Sequence, residues 1–213
     1  MNNLTLIIPT KKESESLPTF LKEIENFECK KLIVLEKEDK ETIETIKKNE
    51  DIEMLIQKNK GYGSAIIEGI NFCKTEYCCI INADGSMDPK YLNKMLVECK
   101  NTNFVFNSRY LTPGGGSDDD TIVTLIGNKI FSFLGKLLFQ LNISDILFTY
   151  ILGETKSFKK LNLTYKDFRL CVEIPINIKK KKMLYKSLPS YERSRIAGKK
   201  KVSAIKDGFL ILV

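Results

Sequence analysis

Short runs of aliphatic, β-branched and aromatic residues recur along the first half of this chain, and segments with helical spacing lie between them. Such runs are typical of strands that are buried on both faces of a sheet. The predicted strands cover residues 4–9, 31–35, 53–57, 77–81 and 103–107. The predicted helices cover roughly residues 17–26, 40–49, 63–72 and 89–99. The alternation therefore predicts an α/β fold with a mostly parallel sheet flanked by helices.

Polar clusters stand at the carboxyl ends of three of these strands. They read PTKKE after the first strand, KNKGYG after the third and NADGSMD after the fourth. In open α/β sheets, ligands bind in the crevice outside the carboxyl ends of the strands. We therefore expect these clusters to lie together and to carry the function.

The chain contains no histidine, which excludes imidazole bases, imidazole metal ligands and Ser-His or Cys-His catalysis. Its six cysteines form no CxxC pair, and most of them lie inside apolar runs. We interpret them as reduced core residues of a cytosolic protein. The amino-terminal apolar run is too short for a signal sequence or a membrane span.

The positive charge of the chain is concentrated near its carboxyl end. The whole chain has 34 Lys and Arg against 27 Asp and Glu, a net charge of +7. Residues 179–206 alone hold eleven basic residues and one acid, a net charge of +10. Such a segment can bind nucleic acid, an anionic membrane surface or a phosphorylated ligand, or it can be a solvated face.

A glycine-rich connector and a strongly apolar segment follow the predicted strands. Residues 111–120, LTPGGGSDDD, are expected to form a mobile loop, with Asp118, Asp119 and Asp120 capping the next helix rather than binding a metal. Residues 121–142 are apolar with one narrow polar stripe. This pattern predicts either a core helix or amphipathic helices in a membrane interface.

The rest of the chain is predicted to contain a helix at 168–181 and an extended segment at 182–190, followed by a weakly alternating tail. We expect one continuous domain, in which residues 1–120 and residues 121–213 form two parts.

Six motifs, in order, resemble the GT-A glycosyltransferases of the dolichyl-phosphate and polyprenyl-phosphate sugar synthase type, within the inverting family 2. The motifs cover nearly the whole chain and read LIIPTKKESESLPTFL, KGYGSAIIEGI, NADGSMDP, NSRY, GNKIFSFLGKLLFQLNISD and SYERSRIAGKKKVSAIKDG. The resemblance implies a GT-A (Rossmann-like) fold with amphipathic membrane-interface helices toward the carboxyl end. It also implies one continuous catalytic domain, in which residues 1–120 are the nucleotide-sugar-binding core and residues 121–213 are the acceptor-side segment.

The resemblance also implies a donor site for a UDP- or GDP-linked sugar and a divalent metal, Mg²⁺ or Mn²⁺. Asp84 matches the last acid of the family's Asp-x-Asp motif, which binds the metal, and Ser86 matches a further oxygen ligand. A hard cation on carboxylate oxygen suits the charge that develops on the leaving diphosphate. The donor residues implied are Pro9, Thr10, Glu13, Glu36, Gly61, Gly63, Asn82, Ala83 and Asp84.

On the acceptor side, the resemblance implies a polyprenyl phosphate as the nucleophile. A phosphate oxygen is already ionised near neutral pH, so cations that position it are needed rather than a base. Asp84, Asp145 and Arg195 are the implied catalytic residues. The residues implied near the acceptor phosphate are Ser108, Arg109, Lys129, Arg195 and Lys201.

Four departures from the family pattern concern the donor loops and the closing motif. Asn82 replaces the usual first Asp, and Glu36 stands in a second-strand motif that reads IVLEKEDKE. Lys11 and Lys12 replace the common Tyr and Asn, and Lys200 replaces a Ser. These changes leave the identity of the nucleotide base open.

The expected function is inverting transfer of a hexose, glucose or mannose, to a dolichyl or undecaprenyl phosphate. The expected location is the cytoplasmic face of a membrane, with peripheral attachment and no nucleic acid bound. A related transferase for polysaccharide or protein acceptors is one alternative. A nucleotide- or nucleic-acid-binding protein without transfer activity is the other.

Overall fold

A computed structural model describes residues 3–198 and 204–212. A seven-stranded sheet forms its centre, in the order β3-β2-β1-β4-β7-β5-β8. Its strands are β1 (Leu4–Thr10), β2 (Lys30–Leu35), β3 (Ile52–Ile56), β4 (Tyr77–Ile80), β5 (Phe104–Ser108), β7 (Ile151–Glu154) and β8 (Tyr185–Pro189). A second, two-stranded sheet pairs β6 (Gly116–Ser117) with β9 (Tyr191–Glu192).

All strands of the large sheet run parallel except β7, which is antiparallel to both of its neighbours. The five predicted strands and the extended segment at 182–190 match β1 to β5 and β8. No strand was predicted for residues 151–154. The predicted fold class, a mostly parallel α/β sheet flanked by helices, is confirmed.

Helices cover both faces of the large sheet. They are α1 (Leu17–Glu23), α2 (Lys40–Ile46), α3 (Tyr62–Phe72), α4 (Leu92–Cys99), α5 (Ile122–Phe139), α6 (Thr155–Lys160), α7 (Leu170–Lys180) and α8 (Ala204–Leu212). A short 3₁₀ turn, Pro89–Tyr91, leads into α4. The helix predicted at 168–181 corresponds to α7, whereas α8 lies in a tail for which no helix was predicted.

The sheet separates two apolar cores because side chains alternate along each strand. In β1, Leu6 and Ile8 pack into the core that α1, α2 and α4 cover, whereas Ile7 packs into the core that α3, α6 and α7 cover. Both faces of the central strands are thus buried. This explains why these strands are continuous apolar runs.

Helix α5 leaves most of its apolar side chains exposed. A capping box between Thr121 and Thr124 starts the helix, and Gln140 ends it in the left-handed conformation, with φ of 53°. Only Asn128 and Gly135 are buried within it. By length and hydropathy, α5 is one helix among the described residues that could cross a membrane. Because so few of its residues are buried, the core-helix alternative is wrong. The other alternative, amphipathic helices in a membrane interface, stays a prediction.

Candidate active site

A cleft of about 440 Å³ opens at the carboxyl ends of β1 to β4. Residues of all three predicted polar clusters, which follow β1, β3 and β4, line it, and so does Glu36 after β2. Thr10 ends β1, Glu36 follows β2, and Asp84 follows β4. Because β7 is antiparallel, Thr149 reaches the same edge from the opposite chain direction. Segments that are far apart in the sequence therefore meet at one site.

Asp84 is held firmly in the loop after β4. Its Oδ1 accepts hydrogen bonds from the backbone N–H of Ser86 at 3.1 Å and from the Ser86 hydroxyl at 2.9 Å. Gly85 has φ of 75°, which lets the chain turn sharply between the two residues. These bonds leave Oδ2 as the carboxylate oxygen that is available to a cation.

The guanidinium of Arg195 is hydrogen-bonded to that oxygen. Its Nη1 donates to Asp84 Oδ2 at 2.8 Å, and its Nη2 donates to Asp119 Oδ2 at 3.1 Å. The segment that carries Arg195 lies across the Asp84 loop, because Arg193 N donates to Ser86 O and Ile196 N donates to Asp84 O, both at 2.9 Å. Backbone hydrogen bonds thus hold the main chain of this segment over the Asp84 loop.

Arg109 and Asp145 form a buried ion pair at the other end of the cleft. Arg109 Nε and Nη2 each donate to Asp145 at 2.8 Å, and the Asp145 side chain is fully enclosed. Nη1 of Arg109 donates to Glu192 at 3.0 Å. Asn128 of α5 donates from Nδ2 to Asp145 Oδ1. The network joins β5, α5 and β9.

The charges of this network shift its pKa values. Burial disfavours the charged form of Arg109, but the hydrogen bonds and charge of Asp145, together with Glu192, raise its pKa above the usual value. Burial raises the pKa of Glu192, and the charge of Arg109 opposes that shift. Arg109 therefore remains a cation whose charge is used within the protein.

The two glycines of the KGYG motif pack against neighbouring backbone atoms, which leave no space for a side chain. A Cβ on Gly61 would lie 2.2 Å from Lys166 O, and a Cβ on Gly63 would lie 2.3 Å from Tyr165 O. Between them, Tyr62 stacks on Phe168, with ring centroids 4.7 Å apart. The glycines thus seat the segment before α7 against the cleft.

The Tyr62 hydroxyl also fixes the position of Asn82. It donates to Asn82 Oδ1 at 3.1 Å and lies 2.5 Å from the Thr149 hydroxyl. Burial raises the pKa of Tyr62, so this phenol stays neutral. Asn82 stands where the resemblance implies an aspartate. Its neutral amide accepts a hydrogen bond from the neutral phenol of Tyr62.

The structure brings most of the predicted site residues into the cleft. Those lining it are Pro9, Thr10, Glu13, Glu36, Gly61, Asn82, Ala83, Asp84, Arg109 and Arg195. Three others support it from behind: Gly63 against the 165–167 backbone, Ser86 bonded to Asp84, and Asp145 paired with Arg109. The functional roles of all these residues remain predictions.

The remaining predicted residues lie elsewhere. Ser108 is buried at the end of β5, where its hydroxyl lies 2.7 Å from that of Ser144 and accepts from Tyr110 N. Lys129 is exposed on α5 and is not among the described residues that line the cleft. Lys201 lies outside the described residues.

Several cleft residues were not singled out from the sequence as site residues. Asp119 and Asp120 line the cleft, although they were expected to cap α5. Thr121 is the cap instead, and Asp120 accepts from the Tyr110 and Thr124 hydroxyls. Tyr62, Asn128 and Glu192 also face the cleft. No short-range signal points to Asn128 or Glu192, since the fold alone brings them there.

The lining of the cleft is acidic. Among its described residues, three are basic: Lys11, Arg109 and Arg195. Seven are acidic: Glu13, Glu36, Asp84, Asp119, Asp120, Asp167 and Glu192. Each of the three cations is already paired with a carboxylate of the protein. An anionic ligand would meet a net negative surface unless a further cation entered with it.

The donor set suits a hard divalent cation that brings its own ligands. Asp84 and Asp119 supply carboxylate oxygens, which Mg²⁺ and Mn²⁺ prefer. Within residues 3–198 and 204–212, no three His, Cys, Asp or Glu side chains are grouped as a closed metal site. An open site that is completed by substrate phosphates and water fits these residues.

Solved glycosyltransferases share this architecture. Mannosyl-3-phosphoglycerate synthase from Rubrobacter xylanophilus superposes with a TM-score of 0.70 over 98% of this chain and 71% of its own, at 13% identity. Glucosyl-3-phosphoglycerate synthase from Mycobacterium tuberculosis, crystallised with Mn²⁺, UDP and glucosyl-3-phosphoglycerate, superposes with a TM-score of 0.72 over 99% and 77%, at 9% identity. The fold is the GT-A (Rossmann-like) fold.

Residues 5–162 match the family model described as glycosyl transferase family 2, and the chain belongs to that family. An uncharacterized glycosyltransferase of Mycobacterium tuberculosis (strain ATCC 25618 / H37Rv) is 30% identical over 95 residues. These residues are 45% of this chain and 43% of the relative, so the match spans less than half of either protein. The predicted membership of family 2 is confirmed, whereas the polyprenyl-phosphate sugar synthase type stays a prediction.

Proposed function

We propose that this chain transfers a hexose from a nucleoside-diphosphate sugar to a polyprenyl phosphate at the cytoplasmic face of a membrane. The donor lies in the cleft at the carboxyl ends of β1, β2 and β4, with a divalent cation, Mg²⁺ or Mn²⁺, held by Asp84. Family membership supports the transfer of a sugar. The six cysteines are free thiols, five of them buried, which supports a reducing compartment.

The acidic lining of the cleft supports the use of a cation. Asp84, Asp119 and Glu13 face a space that must receive a diphosphate of about two negative charges. A bound divalent cation offsets that repulsion and stabilises the charge on the leaving diphosphate. Mn²⁺ and UDP accompany the glucosyl-3-phosphoglycerate synthase described above.

One observation favours a lipid acceptor: helix α5 lines the cleft with some of its side chains and exposes apolar side chains elsewhere on its surface. Thr124 and Asn128 of α5 line the cleft. Other side chains of α5 and α8 form what we call the apolar face, whose members are between 36% and 76% exposed. They are Ile122, Val123, Ile126, Ile130, Phe133, Leu137, Leu138, Phe139, Phe209, Leu210 and Leu212. A lipid whose tail stays in the membrane would present its phosphate at this position.

The chemistry requires no base from the protein. An ionised oxygen of the acceptor phosphate attacks the anomeric carbon and forms a new C–O bond. The bond from that carbon to the donor diphosphate breaks, and the nucleoside diphosphate leaves with the electron pair. The chain has no histidine, and Arg195 in the cleft is suited to orienting phosphate oxygens once it is released from its carboxylate partners.

A phosphorylated small acid is the second candidate acceptor. Both structural neighbours described above are named for 3-phosphoglycerate products, and both cover nearly all of this chain. Such an acceptor would react through a hydroxyl group, which needs a proton acceptor. It would also leave the apolar face of α5 without a role.

A transfer assay tests the proposal. Purified protein is incubated with Mn²⁺, radiolabelled UDP- and GDP-linked hexoses, and either a short polyprenyl phosphate or 3-phosphoglycerate. We expect label to enter the organic phase. We also expect chelation of the metal to abolish this transfer. Label found only in a phosphorylated water-soluble product would establish the second acceptor instead.

Polar substitutions on the apolar face test membrane attachment. Phe133 and Leu137 are 63% and 64% exposed. Burying such side chains contributes about 1.5–3 kcal/mol each when burial is complete. The variant Phe133→Ser/Leu137→Ser is therefore expected to lower binding to anionic phospholipid vesicles by about tenfold or more, measured by flotation.

The matched control removes equally exposed apolar side chains from other elements. Val97 on α4 is 61% exposed and Leu184, just before β8, is 65% exposed. Val97→Ser/Leu184→Ser is expected to leave vesicle binding within about twofold of the unmodified chain. Equal loss in both variants would argue against a specific role for the apolar face.

A further inference from the structure

The guanidinium of Arg195 lies where the proposed cation needs to bind. It is 2.8 Å from Asp84 Oδ2 and 3.1 Å from Asp119 Oδ2, so it bridges the two carboxylates. Asp84 follows β4, and Asp119 lies between β6 and α5, so the fold brings both to one cation. In the structure, the guanidinium of Arg195 therefore fills the position between these two carboxylates.

Asp84 cannot serve Arg195 and a metal through the same oxygen. Its Oδ1 already accepts two hydrogen bonds from Ser86, which leaves Oδ2 for a cation. A guanidinium and a divalent ion that share Oδ2 would lie within a few ångströms of each other, where like charges repel strongly in a partly buried site. Binding of one cation is therefore expected to weaken binding of the other.

We propose that Arg195 is a replaceable counter-ion. It pairs with Asp84 and Asp119 in the metal-free protein, and it leaves them when the divalent cation binds. Asp119 is then the second carboxylate of the cation site. This inference rests on the proposed function, because it assumes that a divalent cation binds at Asp84.

The local structure allows the side chain to move while the backbone stays in place. The main chain around Arg195 is held by Arg193 N to Ser86 O and by Ile196 N to Asp84 O. Ile196 also packs on Gly85, where a Cβ would lie 2.3 Å from Ile196 Cδ1. The Arg195 side chain is 21% exposed, and its Nε has no hydrogen-bond partner among the described residues. The released guanidinium remains beside the cleft.

The displacement couples cation binding to phosphate binding. While Arg195 is paired with Asp84 and Asp119, its two Nη groups are occupied. When the carboxylates bind the cation instead, the same N–H groups become available to a substrate phosphate, which a guanidinium fork binds well. The arginine therefore favours phosphate binding only after the metal is in place.

Mn²⁺ binding without any nucleotide tests this competition. The free Mn²⁺ signal in electron paramagnetic resonance gives the dissociation constant for the full chain. Arg195→Gln removes the competing charge and is expected to bind Mn²⁺ at least about tenfold more tightly than the unmodified chain. Asp119→Asn removes a carboxylate, and this variant is expected to bind Mn²⁺ about tenfold more weakly than the unmodified chain.

Arg193→Gln is the matched control. Arg193 is two residues away and donates to Gly85 O and Glu23, so it does not contact either carboxylate. Its loss is expected to leave Mn²⁺ affinity within about twofold. Equal affinity of the Arg195→Gln variant and the unmodified chain would overturn the proposal, as would an equal gain in the Arg193→Gln variant.

Two further measurements keep the result interpretable. Thermal melting checks folding, and if Arg195→Gln does not fold, Arg195→Lys replaces it, because an ammonium cannot bridge both carboxylates as a guanidinium fork does. An increase of about threefold or more in Mn²⁺ affinity is then expected. If Asp84→Asn abolishes Mn²⁺ binding while Arg195 variants leave it unchanged, the proposed metal site stands and the counter-ion role fails.

Discussion

Replacement of Asp84 with asparagine is expected to lower the rate of sugar transfer by about a thousandfold or more. Asparagine keeps the shape of the side chain and one oxygen for the Ser86 hydrogen bonds, but it removes the negative charge that faces Arg195 and the proposed cation. The loss should therefore appear in transfer and in Mn²⁺ binding, while the melting temperature changes little. Product formation, Mn²⁺ affinity and melting are the three measurements.

Asp88→Asn is the control for Asp84. Asp88 lies four residues further along the chain, caps the 3₁₀ turn through Lys90 N and forms an ion pair with Lys90 outside the cleft. Asparagine caps a helical turn as well as aspartate does, so this replacement loses only the ion pair with Lys90 and is expected to cost less than about 1 kcal/mol of stability, with transfer within about twofold. Full metal-dependent transfer by Asp84→Asn would show that the cation binds elsewhere.

Replacement of Arg109 with methionine is expected to destabilise the fold by about 3–5 kcal/mol. Methionine fills similar space but leaves the enclosed Asp145 carboxylate with hydrogen bonds from Asn128 and Arg109 N only. An uncompensated buried charge is costly because no water replaces the lost partner. Urea denaturation of the two proteins measures the difference in free energy of unfolding.

The companion variants separate loss of an ion pair from loss of packing. Lys186→Met removes the exposed pair between Lys186 and Glu98 and is expected to cost less than about 1 kcal/mol. Arg109→Met/Asp145→Asn removes both charges and is expected to recover part of the stability that Arg109→Met loses. The free energy of unfolding is also measured for Asp145→Asn alone. If the stability lost in the double variant equalled the sum of the losses in Arg109→Met and Asp145→Asn, the charge pair would not explain the effect.

The parallel part of the sheet could be predicted from the sequence because burial on both faces leaves a direct mark in it. Each of β1 to β5 is a short apolar run that ends in polar residues. β7 has no such mark, since Ile151–Glu154 includes Gly153 and Glu154 and pairs with strands on both sides. Its position depends on pairing partners that are remote in the sequence, and no local pattern records them.

The donor side of the site was predictable for the same reason, since strand ends locate Thr10, Glu36 and Asp84. The other side was less so. Asp119 lies in an acidic run next to a helix start, where capping is the simpler expectation, and Glu192 lies in a two-residue strand. Their distance from Asp84 in the sequence is large, and only the completed sheet brings them together.

The antiparallel strand β7 makes residues 109–150 an insertion with both ends anchored side by side. The segment leaves the sheet after β5 and returns in β7, and Phe106 of β5 pairs with Ile151 of β7. A change of length or sequence in this insertion need not alter the register of any strand in the large sheet. Helix α5 and its part of the apolar face lie inside it, whereas Thr10, Glu36 and Asp84 lie outside it. Exchange of this one segment between relatives should therefore transplant acceptor preference while the donor nucleotide stays the same.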